Sequence, residues 1–160
     1  KNSKSKKSFK ILDRKLHTQF SNNIRSDFSY LNRSADDQKN GDEVLFTQNG
    51  RSVFKDVCPL VASLILEQLK DNDINPNDIS KFWLHQANGK MIRLIAAKIL
   101  GTDDFNSDLI PMPIIKYGNL ASVGSLVAFN SDNDLNKGEK GVICSFGAGY
   151  SVCSILVEKT

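Results

Sequence analysis

Apolar residues between positions 53 and 69 recur at steps of three and four, the spacing of one buried helix face. Pro59 lies inside this run, so the helix either begins there, with proline in its first turn, or is kinked. A second apolar helix face covers residues 91–100 and stops at Gly101, a residue typical of helix ends. A third helix is predicted from residue 122 to about 129.

Short, mostly apolar segments between these helices predict strands. They are residues 9–16, 81–85, 142–146 and 152–157, and residues 114–117 are expected to be extended. The last two strands flank a glycine loop and are expected to pair antiparallel. The polar segment 20–42 predicts a long loop with short helical pieces. This order of elements predicts an α/β domain with layered helices on a mixed sheet.

Composition narrows the class of protein. The chain has 160 residues, 40% of them apolar, which suits one domain with its own core. No run approaches the roughly 18 apolar residues that span a bilayer, and the N-terminus has no apolar signal region. The odd number of cysteines, all in apolar surroundings, is typical of a reducing compartment, so we expect a cytoplasmic protein. Since the chain begins with Lys1 rather than Met, we expect it to be part of a longer protein.

Positive charge is concentrated at the N-terminus. The net charge is +3, and five lysines with no acid fall within the first ten residues. The rest of the chain is close to neutral, which argues against nucleic acid as a partner. We divide the chain into a basic tail at 1–8, a strand and long loop at 9–48, and a domain at 49–160. The tail is expected to be solvated, with binding to an anionic surface as the alternative.

His85 ends a predicted buried strand, just before a loop that opens a helix. Ligands collect at that edge of open α/β sheets, and Gln86 and Asn88 add two polar side chains to the same turn. The alternative is a core histidine that is hydrogen-bonded to the backbone. Downstream, Gly118 permits a tight turn that aims the amide of Asn119. There the alternative is a helix cap at Asn119 or Ser122.

The glycine loop at 146–150 fails as a dinucleotide fingerprint, because Val152 stands where the third glycine belongs and no helix follows. It is either a hairpin turn or a loop that a ligand approaches closely. The chain has no P-loop, no G-x-S-x-G elbow and no C-x-x-C pair, and its two histidines lack cysteines at zinc-ligand spacing. We therefore expect no metal and no cofactor.

Four segments carry a resemblance to a known family. They are G-R-S-V-F-K from residue 50, W-L-H-Q-A-N at 83–88, Y-G-N at 117–119 and G-A-G-Y-S at 147–151. In this order the sequence resembles the C-terminal half of the thiolase-fold condensing enzymes, most of all the β-ketoacyl-acyl carrier protein synthase III group. The resemblance implies a thiolase-like fold and a decarboxylative condensation of malonyl-acyl carrier protein with an acyl primer. Gly89, directly after this group's His-Gln-Ala-Asn, departs from its pattern.

The family uses a Cys-His-Asn site, and His85 and Asn119 match its histidine and asparagine. The resemblance also implies a substrate tunnel at Phe54, Gly147 and Gly149. No segment of this chain matches the context of the nucleophilic cysteine, which the family carries in its N-terminal half. Cys58, Cys144 and Cys153 are each expected to be small buried hydrophobic residues instead.

The implied partners are acyl carrier protein, acyl-CoA, an N-terminal half and a second copy in a homodimer. Lys90 and Arg93 are the candidates for the contacts to the acidic carrier protein, and Lys55 and Lys98 are less direct candidates. Ordinary helix-surface charges are the alternative. The apolar faces of the first two helices are expected to pack on the other half, leaving this chain alone inactive and prone to association. A non-catalytic thiolase-like partner subunit is the competing function, although such a scaffold needs neither His85 nor Asn119.

Overall fold

A four-stranded mixed sheet organises the chain in the computed structural model, which describes residues 8–26 and 46–160. Its strands are β1 (Phe9–Ser21), β4 (Ile79–Leu84), β5 (Lys140–Gly147) and β6 (Gly149–Lys159). They lie in the order β1-β6-β5-β4. Strands β4 and β5 are parallel, and the other two pairs are antiparallel. The segment 9–48 therefore contributes a strand to the same sheet as the segment 49–160.

Four α-helices and a second, two-stranded sheet complete the described part of the chain. The helices are α1 (Gly50–Asp71), α2 (Gly89–Leu100), α3 (Ile114–Tyr117) and α4 (Val123–Ser131). The small sheet pairs β2 (Ile24–Ser26) with β3 (Phe46–Gln48). Short 3-10 turns lie at Pro76–Asp78 and Ser107–Leu109. Among the described helices none is long and apolar enough to cross a membrane.

The two faces of the sheet bury different helices, which gives three layers. On one face, α1 and α2 pack over alternate strand residues such as Phe82, Val142 and Leu156. On the other face, Trp83 packs with Ala128 of α4. This alternation along each strand follows from the period of two of β structure. It confirms the predicted α/β layering.

Two sequence predictions about helices α1 and α2 need correction. Helix α1 does not begin at Pro59 but at Gly50, and it continues through the proline. The apolar side chains of α1 and α2 were expected to pack on another half of the protein. They are instead buried within this chain, where Val57 is 0% exposed and Ile95 is 1% exposed. Their burial offsets the cost of about 3 kcal/mol or more that proline imposes on a helix interior.

Residues 114–117 form a helical turn rather than an extended segment. Pro113 occupies its N-cap position, and Gly118 ends it with a φ of 70°. Of the segment 20–42, residues 27–42 lie outside the described residues, and Ile24–Ser26 is a strand where a loop was expected. The antiparallel pairing of the last two strands and the helix ending at Gly101 are confirmed.

Cys58 and Cys144 are buried as predicted, whereas Cys153 is exposed. Cys153 pairs with Leu16, which is itself 73% exposed, so both lie on a part of the sheet that α4 does not cover. Large apolar side chains remain exposed elsewhere in the described chain: Ile11, Phe20, Ile115, Tyr117, Val123 and Leu126.

Candidate active site

His85 directly follows the buried strand β4 and is itself 7% exposed. Its Nδ1 atom lies 3.1 Å from the hydroxyl oxygen of Ser145 on β5. Its ring lies 4.3 Å from the ring of Phe146, measured between centroids. Burial lowers the pKa of the His85 imidazole from 6.5 to about 4. The ring is therefore neutral at physiological pH and carries a single N–H.

Gln86 fixes the backbone next to His85, a role that the sequence prediction missed. Its side chain is fully buried. Its Nε2 donates to the carbonyl of Leu84 at 2.7 Å and to that of Pro111 at 3.3 Å. Its Oε1 accepts from the backbone N–H of Ile114 at 3.1 Å. One side chain therefore ties the end of β4 to the segment that leads to Asn119.

Asn119 follows Gly118 in the turn between α3 and α4. Its Oδ1 accepts a hydrogen bond from the backbone N–H of Ala121 at 2.8 Å. The bond of Asn119 forms a turn and not a helix cap. Ser122 does occupy the N-cap position of α4, as the alternative expected, but its side chain makes no cap hydrogen bond. Because the carboxamide oxygen is committed to Ala121, the Nδ2 group is the part of the amide that is left to donate.

The glycine loop is the hairpin turn between β5 and β6, and it also borders the site. The hydroxyl of Tyr150, at the start of β6, lies within a small hydrogen-bonded cluster. Asn23 donates to it at 2.9 Å, and it donates to Asp56 of α1 at 3.1 Å. This cluster ties β6, α1 and the segment before β2 together beneath the turn.

Four of the eight predicted site residues line one cavity of about 610 Å³. His85, Asn119, Phe54 and Gly147 all border it. Gly149 and Lys55 do not. A neighbouring cavity of about 620 Å³ shares Ala87 and Asn88 with the first and is bordered by Lys90 and Arg93. The fold thus brings together residues that lie up to 93 positions apart, from Phe54 to Gly147.

Residues 69–159 match the family described as 3-oxoacyl-[acyl-carrier-protein (ACP)] synthase III C terminal. The chain belongs to this family. It is 46% identical over 156 residues to beta-ketodecanoyl-[acyl-carrier-protein] synthase of Pseudomonas aeruginosa, covering 97% of this chain and 44% of that protein. It is 30% identical over 116 residues to beta-ketoacyl-[acyl-carrier-protein] synthase III 2 of Lactiplantibacillus plantarum, covering 71% of this chain and 34% of that protein. The chain spans less than half the length of these relatives.

Solved structures of thiolase-like synthases confirm the predicted fold. The 3-oxoacyl-ACP synthase III structure from Thermus thermophilus superposes with a TM-score of 0.74 at 21% identity, covering 94% of this chain and 46% of that one. The priming β-ketosynthase of the R1128 polyketide pathway superposes with a TM-score of 0.77 at 18% identity, again covering 94% of this chain and 46% of that one.

The cavity of this synthase III C-terminal domain is bordered by neutral polar side chains, His85 and Asn119 among them, and by no thiol. None of the three cysteines borders the cavity. Burial raises the pKa of the Cys58 thiol to about 11 and also raises that of Cys144. Both thiols are thus poor nucleophiles. Within the described part of the chain, no group of three or more His, Cys, Asp or Glu side chains is placed to hold a metal ion.

Proposed function

We propose that this chain supplies the His/Asn half of a Cys-His-Asn site for decarboxylative condensation. The malonyl thioester loses CO₂, and the electron pair of the broken C–C bond forms an enolate. His85 and Asn119 donate hydrogen bonds to the enolate oxygen, where negative charge develops. The primer acyl group has by then been transferred from acyl-CoA to the cysteine with release of CoA. The enolate carbon attacks the carbonyl carbon of this acyl-cysteine thioester, and the cysteine thiolate leaves. The product is a β-ketoacyl thioester on acyl carrier protein.

One observation carries this proposal: His85 and Asn119 border the same cavity although 34 positions separate them. The chemistry of the two groups supports it further. A neutral imidazole and a carboxamide stabilise an oxyanion without pairing prematurely with the carboxylate of the malonyl group. A protonated His85 would form that ion pair, and its lowered pKa prevents this near neutral pH.

The nucleophilic cysteine is proposed to come from an N-terminal half. The burial of Cys58 and Cys144 and the absence of all three cysteines from the cavity lining support this division. The exposed apolar side chains of β1 and α4, including Phe20 and Leu126, are proposed as part of the surface that this half covers. From the resemblance we further propose a cytoplasmic homodimer that needs no cofactor; the three free cysteines fit a reducing compartment.

Lys90 and Arg93 are proposed to contact the acidic carrier protein. Both are exposed on α2 and border the cavity that adjoins the site. Exposed basic charges at that position raise the rate of encounter with an acidic partner. Lys55 is also exposed, on α1, but borders neither cavity and is proposed as a weaker contact.

The primer is proposed to be a medium-chain acyl group. The Pseudomonas aeruginosa relative is named for a β-ketodecanoyl product, and it is 46% identical across nearly the whole of this chain. A β-ketodecanoyl group has ten carbons, and decarboxylative condensation adds two, so the primer would have eight. The test compares condensation of malonyl-acyl carrier protein with octanoyl-CoA and with acetyl-CoA; faster turnover of acetyl-CoA would refute this choice of primer.

Malonyl decarboxylation by the full-length protein tests the main proposal. His85→Ala and Asn119→Ala should each lower the rate of CO₂ release by about 10²–10³, while transfer of the acyl group from primer to cysteine continues. Normal decarboxylation after both substitutions would refute the proposed roles of His85 and Asn119, whereas a wild-type protein that does not decarboxylate at all would be the non-catalytic partner subunit. Reversing Lys90 and Arg93 to Glu should raise KM for malonyl-acyl carrier protein and leave that for a small malonyl thioester unchanged.

A further inference from the structure

Ser145 stands between the imidazole of His85 and a backbone carbonyl. Leu84 pairs with Cys144 across the parallel strands, so the next residues along, His85 and Ser145, lie side by side. The Ser145 hydroxyl oxygen is 3.1 Å from Nδ1 of His85 and 3.3 Å from the carbonyl oxygen of Ser122. A hydroxyl has one hydrogen, so it can donate to only one of these two acceptors at a time.

The direction in which the Ser145 hydroxyl donates its hydrogen decides whether Nε2 of His85 is a hydrogen-bond donor or an acceptor. A neutral imidazole carries one hydrogen on either Nδ1 or Nε2. If Ser145 donates to Nδ1, the hydrogen of the ring is on Nε2, which is then a donor. If Ser145 donates to Ser122 instead, Nδ1 must donate to Ser145, and Nε2 is left as an acceptor that cannot stabilise an oxyanion.

The surroundings favour the first arrangement. The Nδ1 contact is the shorter of the two. The Ser122 carbonyl has a second donor, the hydroxyl of Ser125 at 3.4 Å, so it is not left without a partner when Ser145 turns to His85. Among the described residues, Ser145 makes the one hydrogen bond to the His85 ring, and the Phe146 ring packs against that ring at 4.3 Å. The tautomer of His85 therefore depends on a single hydroxyl.

We propose that Ser145 is a positioning residue that donates its hydroxyl hydrogen to Nδ1 of His85 and thereby holds the ring N–H on Nε2. The inference rests on the proposed function, because it is that chemistry which requires a donor at Nε2. It adds a residue that no motif of the sequence singled out. Loss of the hydroxyl should release the ring to populate both tautomers, and the fraction able to donate from Nε2 should fall.

The ¹⁵N chemical shifts of the His85 imidazole test this directly. The full-length protein is labelled with ¹⁵N-histidine, and the His85 signals are assigned by their loss in His85→Gln. The wild type should show a protonated Nε2 and an unprotonated Nδ1. Ser145→Ala should shift both signals toward a mixture of tautomers, and Ser145→Thr, which keeps the hydroxyl, should restore the wild-type shifts. Ser131→Ala, which removes a hydroxyl bonded within α4, is the control and should change neither signal.

Kinetics give the second readout. Ser145→Ala should lower kcat for malonyl decarboxylation by about tenfold, the equivalent of one hydrogen bond of about 1.4 kcal/mol, with KM unchanged. Ser145→Thr should restore kcat.

A wild-type ring protonated on Nδ1, or a Ser145→Ala ring with the wild-type shifts, would overturn the proposal for Ser145. The shifts are read without turnover, so they test Ser145 even if the protein proves unable to decarboxylate malonyl thioesters. That second result would refute the proposed function alone.

Discussion

Lowering the pH from 7 to 5 should destabilise the folded protein through His85. Burial holds the pKa of this imidazole at about 4 in the folded chain, against 6.5 as the ordinary value. As the pH falls below 6.5, the unfolded chain takes up a proton that the folded chain refuses, so the free energy of unfolding decreases. The contribution is fully present above pH 6.5 and is lost as the pH approaches 4.

The difference between the two pKa values sets the size of this effect. At 1.36 kcal/mol for each pKa unit, complete loss amounts to about 3 kcal/mol. Between pH 7 and pH 5 the loss is about 2 kcal/mol, because most of the unfolded imidazoles are protonated at pH 5 while few of the folded ones are. The pH range from 7 to 5 lies above the ordinary pKa of the carboxyl groups, which is 3.8 for an aspartate such as Asp13.

Urea unfolding at pH 7, 6 and 5 measures this loss. The wild type should lose about 2 kcal/mol more than His85→Gln over this range, since glutamine has no proton to take up. The control is Ser131→Ala, which removes no ionisable group and should keep the pH dependence of the wild type. If the free energy of unfolding depended on pH in the same way in the wild type and in His85→Gln, the reasoning would be refuted, because the His85 imidazole would then titrate alike in the folded and unfolded chains.

Two further substitutions test the packing around the site, each by urea unfolding at pH 7. Gly141→Ala would place its Cβ 2.2 Å from Cζ3 of Trp83 and should lower the free energy of unfolding by about 1–3 kcal/mol. The control is Gly89→Ala, whose Cβ would meet nothing within 4 Å and should leave the free energy of unfolding unchanged. Equal losses in the two variants would contradict the predicted clash. Tyr150→Phe removes the hydroxyl that donates to Asp56 at 3.1 Å and should cost about 1 kcal/mol. An unchanged midpoint in Tyr150→Phe would mean that the cluster contributes no net stability.

Periodicity predicted the long elements because their burial is set by nearby sequence. The run around Val57 and the run around Ile95 each place one apolar face on the sheet, as α1 and α2 do. Residues 114–117 are too short for periodicity to separate a strand from a helix. There the flanking residues decide: Pro113 starts a helical turn, and Gly118 takes the positive φ that ends it. Both signals were in the sequence, but outside the apolar run itself.

The exposure of Cys153 could not be predicted, because it depends on what covers the sheet. Strand alternation places Cys153 and its partner Leu16 on the same face, and a face of apolar residues ordinarily predicts burial. In this chain α4 covers the part of that face around Trp83 and leaves the part around Leu16 open. Tertiary packing decides which part of the sheet a helix covers, and no local sequence pattern predicts it.

For the site, the sequence predicted two residues that border one cavity in the structure, but not the residues that hold them in position. His85 and Asn119 could be predicted as candidates because each stands beside a feature that is visible locally, a buried strand end and a Gly-Asn turn. Ser145 and Asp56 were missed because each is a single polar residue within an otherwise ordinary strand or helix. Their importance arises from contacts across 60 and 94 positions, with His85 and Tyr150.

Contacts within the described part of this chain orient the two proposed donors. Gln86 ties the end of β4 to the segment before Asn119, and helix α4 approaches Gln86 so closely that a Cβ on Gly124 would lie 2.7 Å from the Cβ of Gln86. Ser145 holds the His85 ring from the neighbouring strand. Burial by this chain alone already keeps that ring neutral, at a cost in stability below pH 6.5. On the proposed function, the N-terminal half therefore supplies the acyl thioester, while His85 and Asn119 are already oriented by contacts within this chain.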